Sequence, residues 1–130
     1  MSKLISFIAI GILSAAASVA RADAPLGLWE STPDASGLVV HVRTKACGRA
    51  VCGRVERAKD RRGYDTPSNA VGRQMIRDMI AQPDGSYQGT IWEPASNRML
   101  VAKMHVRGNQ LQVQNCDGDV CRDVVWNRLR

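Results

Sequence analysis

Short apolar segments with a two-residue period run through most of this chain, separated by Gly, Pro, Asn and Asp. This alternation is typical of β-strands, which turn successive side chains to opposite faces, and the separating residues favour tight turns. Gly27-Leu28-Trp29 opens the series and Trp126-Asn127-Arg128 closes it. We expect an all-β fold whose first strand pairs with its last, because closing the sheet leaves no unpaired edge.

Eight strands account for the alternation, and we place them at residues 26–31, 38–46, 51–58, 74–82, 87–93, 98–107, 110–115 and 120–129. Residues 74–82 also fit one face of a helix, and we assign a strand because a Pro83-Asp84-Gly85 turn follows. The long connection, residues 59–73, is either a functional rim element or a mobile cover. Joined in order, the strands make a small antiparallel up-and-down barrel, whose interior is filled or holds one small ligand.

Three residues are expected to close this barrel structurally. Trp29 lies on the first strand, and Trp126 and Arg128 lie on the last. A guanidinium stacked on a tryptophan face contributes about 0.5–2 kcal/mol as a cation–π contact. We therefore predict that an aromatic face and a guanidinium meet across the seam.

The first 22 residues have the organisation of an export signal. Lys3 supplies the positive start, residues 4–20 the apolar stretch, and Ala20-Arg21-Ala22 the small-residue cleavage pattern. Cleavage after Ala22 makes Asp23 the first residue, and cleavage after Ala24 is the alternative. A retained anchor is a rival interpretation, but an apolar run of about 17 residues rich in Ala and Ser is marginal for a membrane span.

Cleavage leaves residues 23–130 as a single domain in the periplasm, with no transmembrane segment. Loss of Lys3 and Arg21 lowers the net charge from +6 to +4. A modest positive charge favours anionic envelope surfaces, although a solvated surface of mixed charge is the plainer interpretation. Aromatic residues are scarce and no basic run is interleaved with them, so nothing indicates nucleic-acid binding.

Four cysteines form two pairs of identical spacing. Zinc sites usually place two or three residues between paired cysteines, whereas these pairs have four. In an exported chain an even cysteine count indicates disulfides. Strand alternation also places Cys47 and Cys52 opposite each other on the outer face, as a cross-strand bond requires. We predict disulfides Cys47–Cys52 and Cys116–Cys121, each stabilising the fold by about 2 kcal/mol in the loop-entropy model.

Metal sites and catalytic groups are not indicated. His41 and His105 share faces with Arg and Lys and are expected at the surface. Asp117-Gly118-Asp119 is expected to be a hairpin turn, because a calcium loop needs more oxygen ligands. Copper(I) would suit thioethers, but we expect core residues rather than ligands at Met75, Met79, Met99 and Met104.

No Ser-His-Asp order or nucleophile elbow is visible, and two disulfides leave no free thiol. We therefore expect a protein that is not an enzyme and that has no cofactor.

Several motifs are shared with a known family: Gly27-Leu28-Trp29, Val51-Cys52-Gly53-Arg54-Val55, Gly89-Thr90-Ile91-Trp92-Glu93-Pro94, Leu111-Gln112-Val113 and Trp126-Asn127-Arg128. With these motifs the chain resembles the bacterial exported family called domain of unknown function 2147, from Gly27 to the C-terminus. The resemblance implies a lipocalin-like or calycin-like barrel, in which a first-strand Trp packs against a last-strand Arg. It implies no activity.

We expect the barrel to bind a small apolar or amphipathic ligand at its mouth or in its interior, with the small inward residues Gly53, Gly89 and Ala102 leaving space for it. The candidate binding residues in the interior are Val40, Val42, Gly53, Val55, Gly89, Ile91, Ala102 and Met104. The alternative is a filled barrel that contacts anionic lipid, polymer or a partner protein of the envelope. Its contact surface would be a basic outer face made of Arg43, Arg54, Lys103 and Arg107.

Overall fold

The computed structural model describes residues 23–130 together with Leu4, Ala9 and Gly11, so the expected signal peptide lies almost wholly outside the described residues. The described part contains eight strands: β1 Gly27–Glu30, β2 Val39–Cys47, β3 Ala50–Lys59, β4 Gln74–Ala81, β5 Tyr87–Glu93, β6 Arg98–Arg107, β7 Gln110–Asp117 and β8 Val120–Leu129. Every strand lies where the alternation predicts it, and the ambiguous segment after residue 73 is a strand.

The sheet is a closed antiparallel barrel in which each strand pairs with the next and β1 pairs with β8. The predicted all-β, up-and-down architecture is thus confirmed. Among the described residues, no helix is long and apolar enough to cross a membrane.

The up-and-down order divides the connections between two ends of the barrel. The end that we call the mouth carries residues 31–38, 60–73, 94–97 and 118–119. The end that we call the base carries the turns at 48–49, 82–86 and 108–109, together with residues 23–26.

The seam between β1 and β8 is held by Arg128, which lies directly opposite Trp29. The guanidinium carbon of Arg128 lies 4.3 Å from the centroid of the Trp29 ring. Its Nη1 also donates a hydrogen bond of 2.7 Å to the carbonyl of Leu26. Gly27 makes room for this side chain, since a Cβ there would lie 2.8 Å from Nη1 and its φ is +133°. Gly27 and Trp29 therefore both help Arg128 to close the seam between β1 and β8.

Residues 23–26 cover the base from below. Pro25 is fully buried, and its carbonyl accepts a hydrogen bond of 3.3 Å from Trp29 Nε1. The hydroxyl of Thr44, itself buried, also donates to this carbonyl. The base of the barrel is consequently covered by main chain whose buried Pro25 carbonyl is hydrogen-bonded.

The lower half of the interior is filled by apolar side chains. Val42, Val55, Ala102 and Met104 are each at most 1% exposed. A Cβ at Gly53 would lie 3.0 Å from the side chains of its neighbours on β2 and β4. The interior is thus packed where the small residues were expected to leave space.

The space beside Gly89 is filled by backbone instead. β4 has a bulge that places Asp78 and Met79 opposite Gly89, and a Cβ at Gly89 would lie 2.5 Å from the carbonyl oxygens of Arg77 and Asp78. The expectation that Gly53 and Gly89 open a cavity is therefore wrong, because each glycine admits a neighbour rather than a ligand.

Both predicted disulfides are present, with different registers. Cys116 and Cys121 lie directly opposite each other, with Cα atoms 4.1 Å apart. Cys47 lies opposite Ala50, however, so the Cys47–Cys52 bond runs diagonally over a Cα separation of 5.8 Å. The predicted direct pairing of Cys47 with Cys52 is wrong because the two-residue turn begins immediately after Cys47.

Two side chains depart from their expected burial. His41 is only 8% exposed, because the pairing of β1 with β2 places Glu30 opposite it and Glu30 Oε2 lies 2.9 Å from His41 Nε2. Met99 is 46% exposed, whereas the other three methionines considered as core residues are buried. The two corrections have different origins. Glu30 covers His41, which alternation alone does not show, whereas Met99 lies on the outer face because its neighbour Leu100 points inward.

The contacts at the seam predict that Arg128→Ala will lower the free energy of unfolding by about 1–3 kcal/mol, because it removes a cation–π contact and a charge-assisted hydrogen bond. Arg130→Ala, at the exposed last residue, is the matched control and should have no effect. Urea denaturation monitored by tryptophan fluorescence gives both values. Equal stability of the two variants would show that Arg128 does not hold the seam.

Candidate functional site

A cavity of about 460 Å³ opens at the mouth. This volume falls within the range of about 300–1,000 Å³ that is usual for small-molecule sites. The cavity has an apolar floor of buried side chains from five strands: Val40, Met75, Ile91, Leu100 and Trp126. Partly buried Val124 extends this floor along β8.

Above the floor lies a set of polar side chains that we call the polar ring: Glu93, Arg98, Asn115, Asp117 and Arg122. Strand periodicity explains the arrangement. Glu93 follows Ile91 by two positions, and Arg98 precedes Leu100 by two, so these four share the inner face of β5 and β6. The inner face is thus apolar in the depth of the barrel and polar at its opening.

One ion pair of the polar ring is satisfied internally. Arg98 donates two hydrogen bonds to the carboxylate of Asp117, of 2.5 and 2.7 Å, in the bidentate geometry that suits a guanidinium. Both side chains are at least half exposed, so the pair contributes only about 0–1 kcal/mol to stability. Its consequence for the site is that these two opposite charges neutralise each other.

Two members of the polar ring remain without partners among the described residues. Arg122 makes no ion pair there. Asn115 lies directly across from Arg122, and its Oδ1 is buried without a hydrogen bond from any described residue. An unsatisfied buried polar atom costs about 1–3 kcal/mol, so this position is suited to a group that arrives with a ligand.

The long connection is fixed to neighbouring strands at the mouth, although none of its residues lines the cavity. The end of this connection is hydrogen-bonded to β3. Gly72 N donates to Val55 O at 2.8 Å, and Val55 N donates to Arg73 O at 3.0 Å. The Arg73 guanidinium carbon lies 4.0 Å from the centroid of the Trp92 ring, and Trp92 reaches the cavity. Of the two interpretations offered for this connection, the contacts favour a rim element.

A second contact joins the two long connections of the mouth. Arg61 Nε donates to Ser36 O at 3.3 Å, and Arg61 Nη2 donates to Ala35 O at 3.5 Å. Ala35 itself lines the cavity. The long connection thereby supports the 31–38 segment that borders the opening.

The structure separates the eight candidate ligand-binding residues into two groups. Val40 and Ile91 line the cavity. The other six lie outside its lining, in the packed interior: Val42, Gly53, Val55, Gly89, Ala102 and Met104. Trp126, assigned to closure, is part of the cavity floor.

Sequence reasoning did not single out Asn115 or Arg122. The signal was present, because the alternation that places Trp126 inside also places Arg122 on the same face, four residues earlier. A charged residue at an inward position near a strand end indicates a polar opening rather than a core.

The four basic residues proposed for an envelope contact do not share a face. Arg43 and Arg54 lie opposite each other on β2 and β3, whereas Lys103 and Arg107 lie on β6. The strand order places β4 and β5 between these pairs on one side of the barrel. The expected single basic face is therefore wrong.

Two of these basic residues are also paired with carboxylates. The hydrogen bond from Arg43 lowers the pKa of the Glu56 carboxyl. Hydrogen bonds from the hydroxyl and backbone of Ser86, and then from Lys103, lower the pKa of the Asp84 carboxyl. Both carboxylates stay ionised near neutral pH and reduce the local positive potential.

A closed eight-stranded up-and-down barrel, covered at its base and open at its mouth on an apolar-floored cavity, defines a lipocalin-like barrel protein. The chain belongs to the family described as "Uncharacterized protein conserved in bacteria (DUF2147)", whose model matches residues 27–128.

A solved structure supports the same fold. It is described as "Protein HP1028 from the human pathogen Helicobacter pylori belongs to the lipocalin family" and is similar to this chain with a TM-score of 0.64. The two share 14% sequence identity over 81% of this chain and 82% of the other, which shows a shared fold alone. No curated protein matches the chain.

The position of the two disulfides generates a prediction with an internal control. Residues 115, 117, 120 and 122, which flank the Cys116–Cys121 bond, all line the cavity, whereas Cys47–Cys52 lies at the base. Replacing either pair by serines should cost about 2 kcal/mol of stability through lost loop entropy. Only loss of Cys116–Cys121 should increase amide hydrogen exchange at Asn115 and Arg122. Equal exchange in both double variants would show that the mouth does not depend on its own disulfide.

Proposed function

We propose that this is an exported, non-catalytic binding protein that holds a small amphipathic molecule in the cavity at its mouth. The observation that carries the proposal is the cavity itself, whose apolar floor lies beneath a polar ring. The apolar part of an amphipathic ligand would lie on the floor, and its polar head would lie at the polar ring above.

The floor supplies the driving force for binding. Trp126, Ile91 and Leu100 are already buried in the barrel. Their side chains therefore lose little conformational entropy when a ligand binds. Apolar surface removed from water contributes about 25 cal/mol per Å². The floor would thus contribute affinity for an alkyl or ring system.

The polar ring supplies orientation. The Oδ1 of Asn115 and the guanidinium of Arg122, which have no partners among the described residues, occupy opposite positions of the paired strands β7 and β8 and so lie side by side on the inner face. Convergent polar groups above an apolar surface are the usual means by which such sites fix a ligand's direction. A ligand bound with its polar group inward would leave both unsatisfied.

The alternative function, contact with an anionic envelope component, has weaker support. It requires a continuous basic surface, and the basic residues assigned to it are divided between separated strands and partly neutralised. Long-range attraction from such a surface would also be screened by salt.

An extracytoplasmic location is consistent with the two disulfides, since such bonds persist in oxidising compartments. We propose the periplasm, with export directed by residues 1–22.

A cavity-filling variant tests the binding site. Val124 lines the cavity and is partly buried, whereas its neighbour Val125 points outward and is 38% exposed. Val124→Trp should fill the cavity and weaken binding of the neutral fluorophore N-phenylnaphthylamine by about tenfold or more, because an indole would occupy the volume that the probe needs.

Val125→Trp is the matched control, with the same substitution one residue away on the outer face. Fluorescence titration of wild type and both variants gives the dissociation constants. Wild-type protein that fails to bind the probe, or equal affinity in the two variants, would contradict binding at the mouth.

The buried base predicts where the signal peptide is removed. Cleavage after Ala24 would place a charged amino terminus on Pro25, which is fully buried, and would remove the carbonyl of Ala24 that accepts a hydrogen bond of 2.7 Å from Leu26 N. Burying an unpaired charge is costly, so we expect cleavage after Ala22. The intact mass of the exported protein should correspond to a chain beginning at Asp23. A chain beginning at Pro25 would contradict this role of residues 23–26.

A further inference from the structure

We infer that the head group of the ligand is a carboxylate or a closely similar anion, bound by Arg122 with the help of Asn115. The inference rests on the proposed function and adds the charge and position of the head group. It is carried by the juxtaposition, on adjacent strands of one cavity, of the Arg122 guanidinium and the partly buried Asn115 amide, whose Oδ1 is buried. Neither that guanidinium nor that oxygen has a partner among the described residues.

Arg122 is directed toward the mouth by the alternation of β8. It lies on the inner face with Val124 two positions later and with Trp126 at the floor, and all three line the cavity. A guanidinium presents a planar fork of donors that matches the two oxygens of a carboxylate. A head group at Arg122 would therefore direct its tail along Val124 toward Trp126.

Asn115 adds a second, independent requirement. Its buried Oδ1 accepts no hydrogen bond from the described residues, and its position across from Arg122 places it beside the same head group. A side-chain amide offers donors as well as an acceptor. Its Nδ2 can donate to a carboxylate oxygen, whereas Oδ1 accepts only from a donor such as a hydroxyl. A plain carboxylate therefore engages the amide through Nδ2 alone, and a hydroxy acid engages both ends.

The acidic residues around the cavity are each engaged elsewhere. Asp117 is neutralised by Arg98. Asp34 Oδ1 accepts hydrogen bonds from Ser36 N, Ser36 Oγ and Leu38 N, at 2.9, 2.6 and 3.0 Å, within its own loop.

Glu93 is the remaining acid. It accepts a hydrogen bond of 2.7 Å from Ser96 Oγ and lies on β5, separated from β8 by β6 and β7. The donors to Asp34 and Glu93 are neutral and leave both charges in place, so the preference for an anion rests on the guanidinium of Arg122, which makes no ion pair among the described residues.

Three probes with the same alkyl chain test the inference: dodecanoate, dodecanol and dodecyltrimethylammonium, each used below its micelle concentration. Isothermal titration of the mature protein measures affinity. We expect dodecanoate to bind about tenfold or more tightly than the other two, as one charge-assisted contact of about 1.5–3 kcal/mol would produce.

Variants assign the selectivity to the site. Arg122→Gln should weaken dodecanoate binding about tenfold and leave dodecanol binding unchanged. Arg107→Gln, which removes the same charge from the outer surface of β6, is the matched control and should change neither affinity.

Asn115→Leu adds a readout that a purely structural role would not produce. It removes an unsatisfied buried atom, so unfolding should require the same or a higher urea concentration while dodecanoate binds more weakly. Lower stability with unchanged binding would show that Asn115 is structural.

The outcomes separate the two levels of the proposal. If none of the three probes binds, ligand binding at the mouth is itself wrong. If all three bind equally, or if the ammonium probe binds most tightly, the cavity is a binding site and the anionic head group is wrong. A dodecanoate preference that survives Arg122→Gln would place the head group elsewhere.

Discussion

The pairing of β1 with β8 is the contact on which the rest of this barrel depends. β1 has only four residues, and it pairs with β2 on one side and with β8 on the other, so its backbone groups find partners on both sides. Arg128 couples this closure to the base, because one guanidinium stacks on Trp29 and bonds the carbonyl of Leu26. The same side chain thus joins the seam and holds the segment that covers the base, which leaves the mouth as the end where the interior meets water.

The two halves of the barrel differ because their inward residues differ. Toward the base, the inward positions carry Trp29, Met104 and valines, and the bulge of β4 brings backbone against Gly89. Toward the mouth, the inward positions carry charges and an amide, which cannot be removed from water without partners. A dry core is therefore excluded at this end, and the cavity follows from the same alternation that builds the core below it.

Alternation was sufficient to predict the strands, their order and the closure, because these depend on properties that each segment carries by itself. It was insufficient for features that depend on how neighbouring strands align. Whether Gly53 leaves space depends on Ile76, whose position follows from an irregular pairing of β3 with β4. The diagonal Cys47–Cys52 bond likewise depends on the position of a turn. Bulges and turn positions change contacts while leaving the periodic pattern intact.

The alternation predicted part of the apolar floor of the candidate site but not its polar ring. Searching the interior for small apolar residues located Val40 and Ile91 on the floor but missed the polar ring, because polar residues in a strand are usually assigned to the outer face. Once the register is known, the ring has a clear physical consequence. Its members lie on strands, and the Cys116–Cys121 bond fixes the two strands that carry Asn115 and Arg122. A site fixed in this way loses little conformational freedom on binding, so selectivity depends on the match between head group and ring, while affinity depends on the floor.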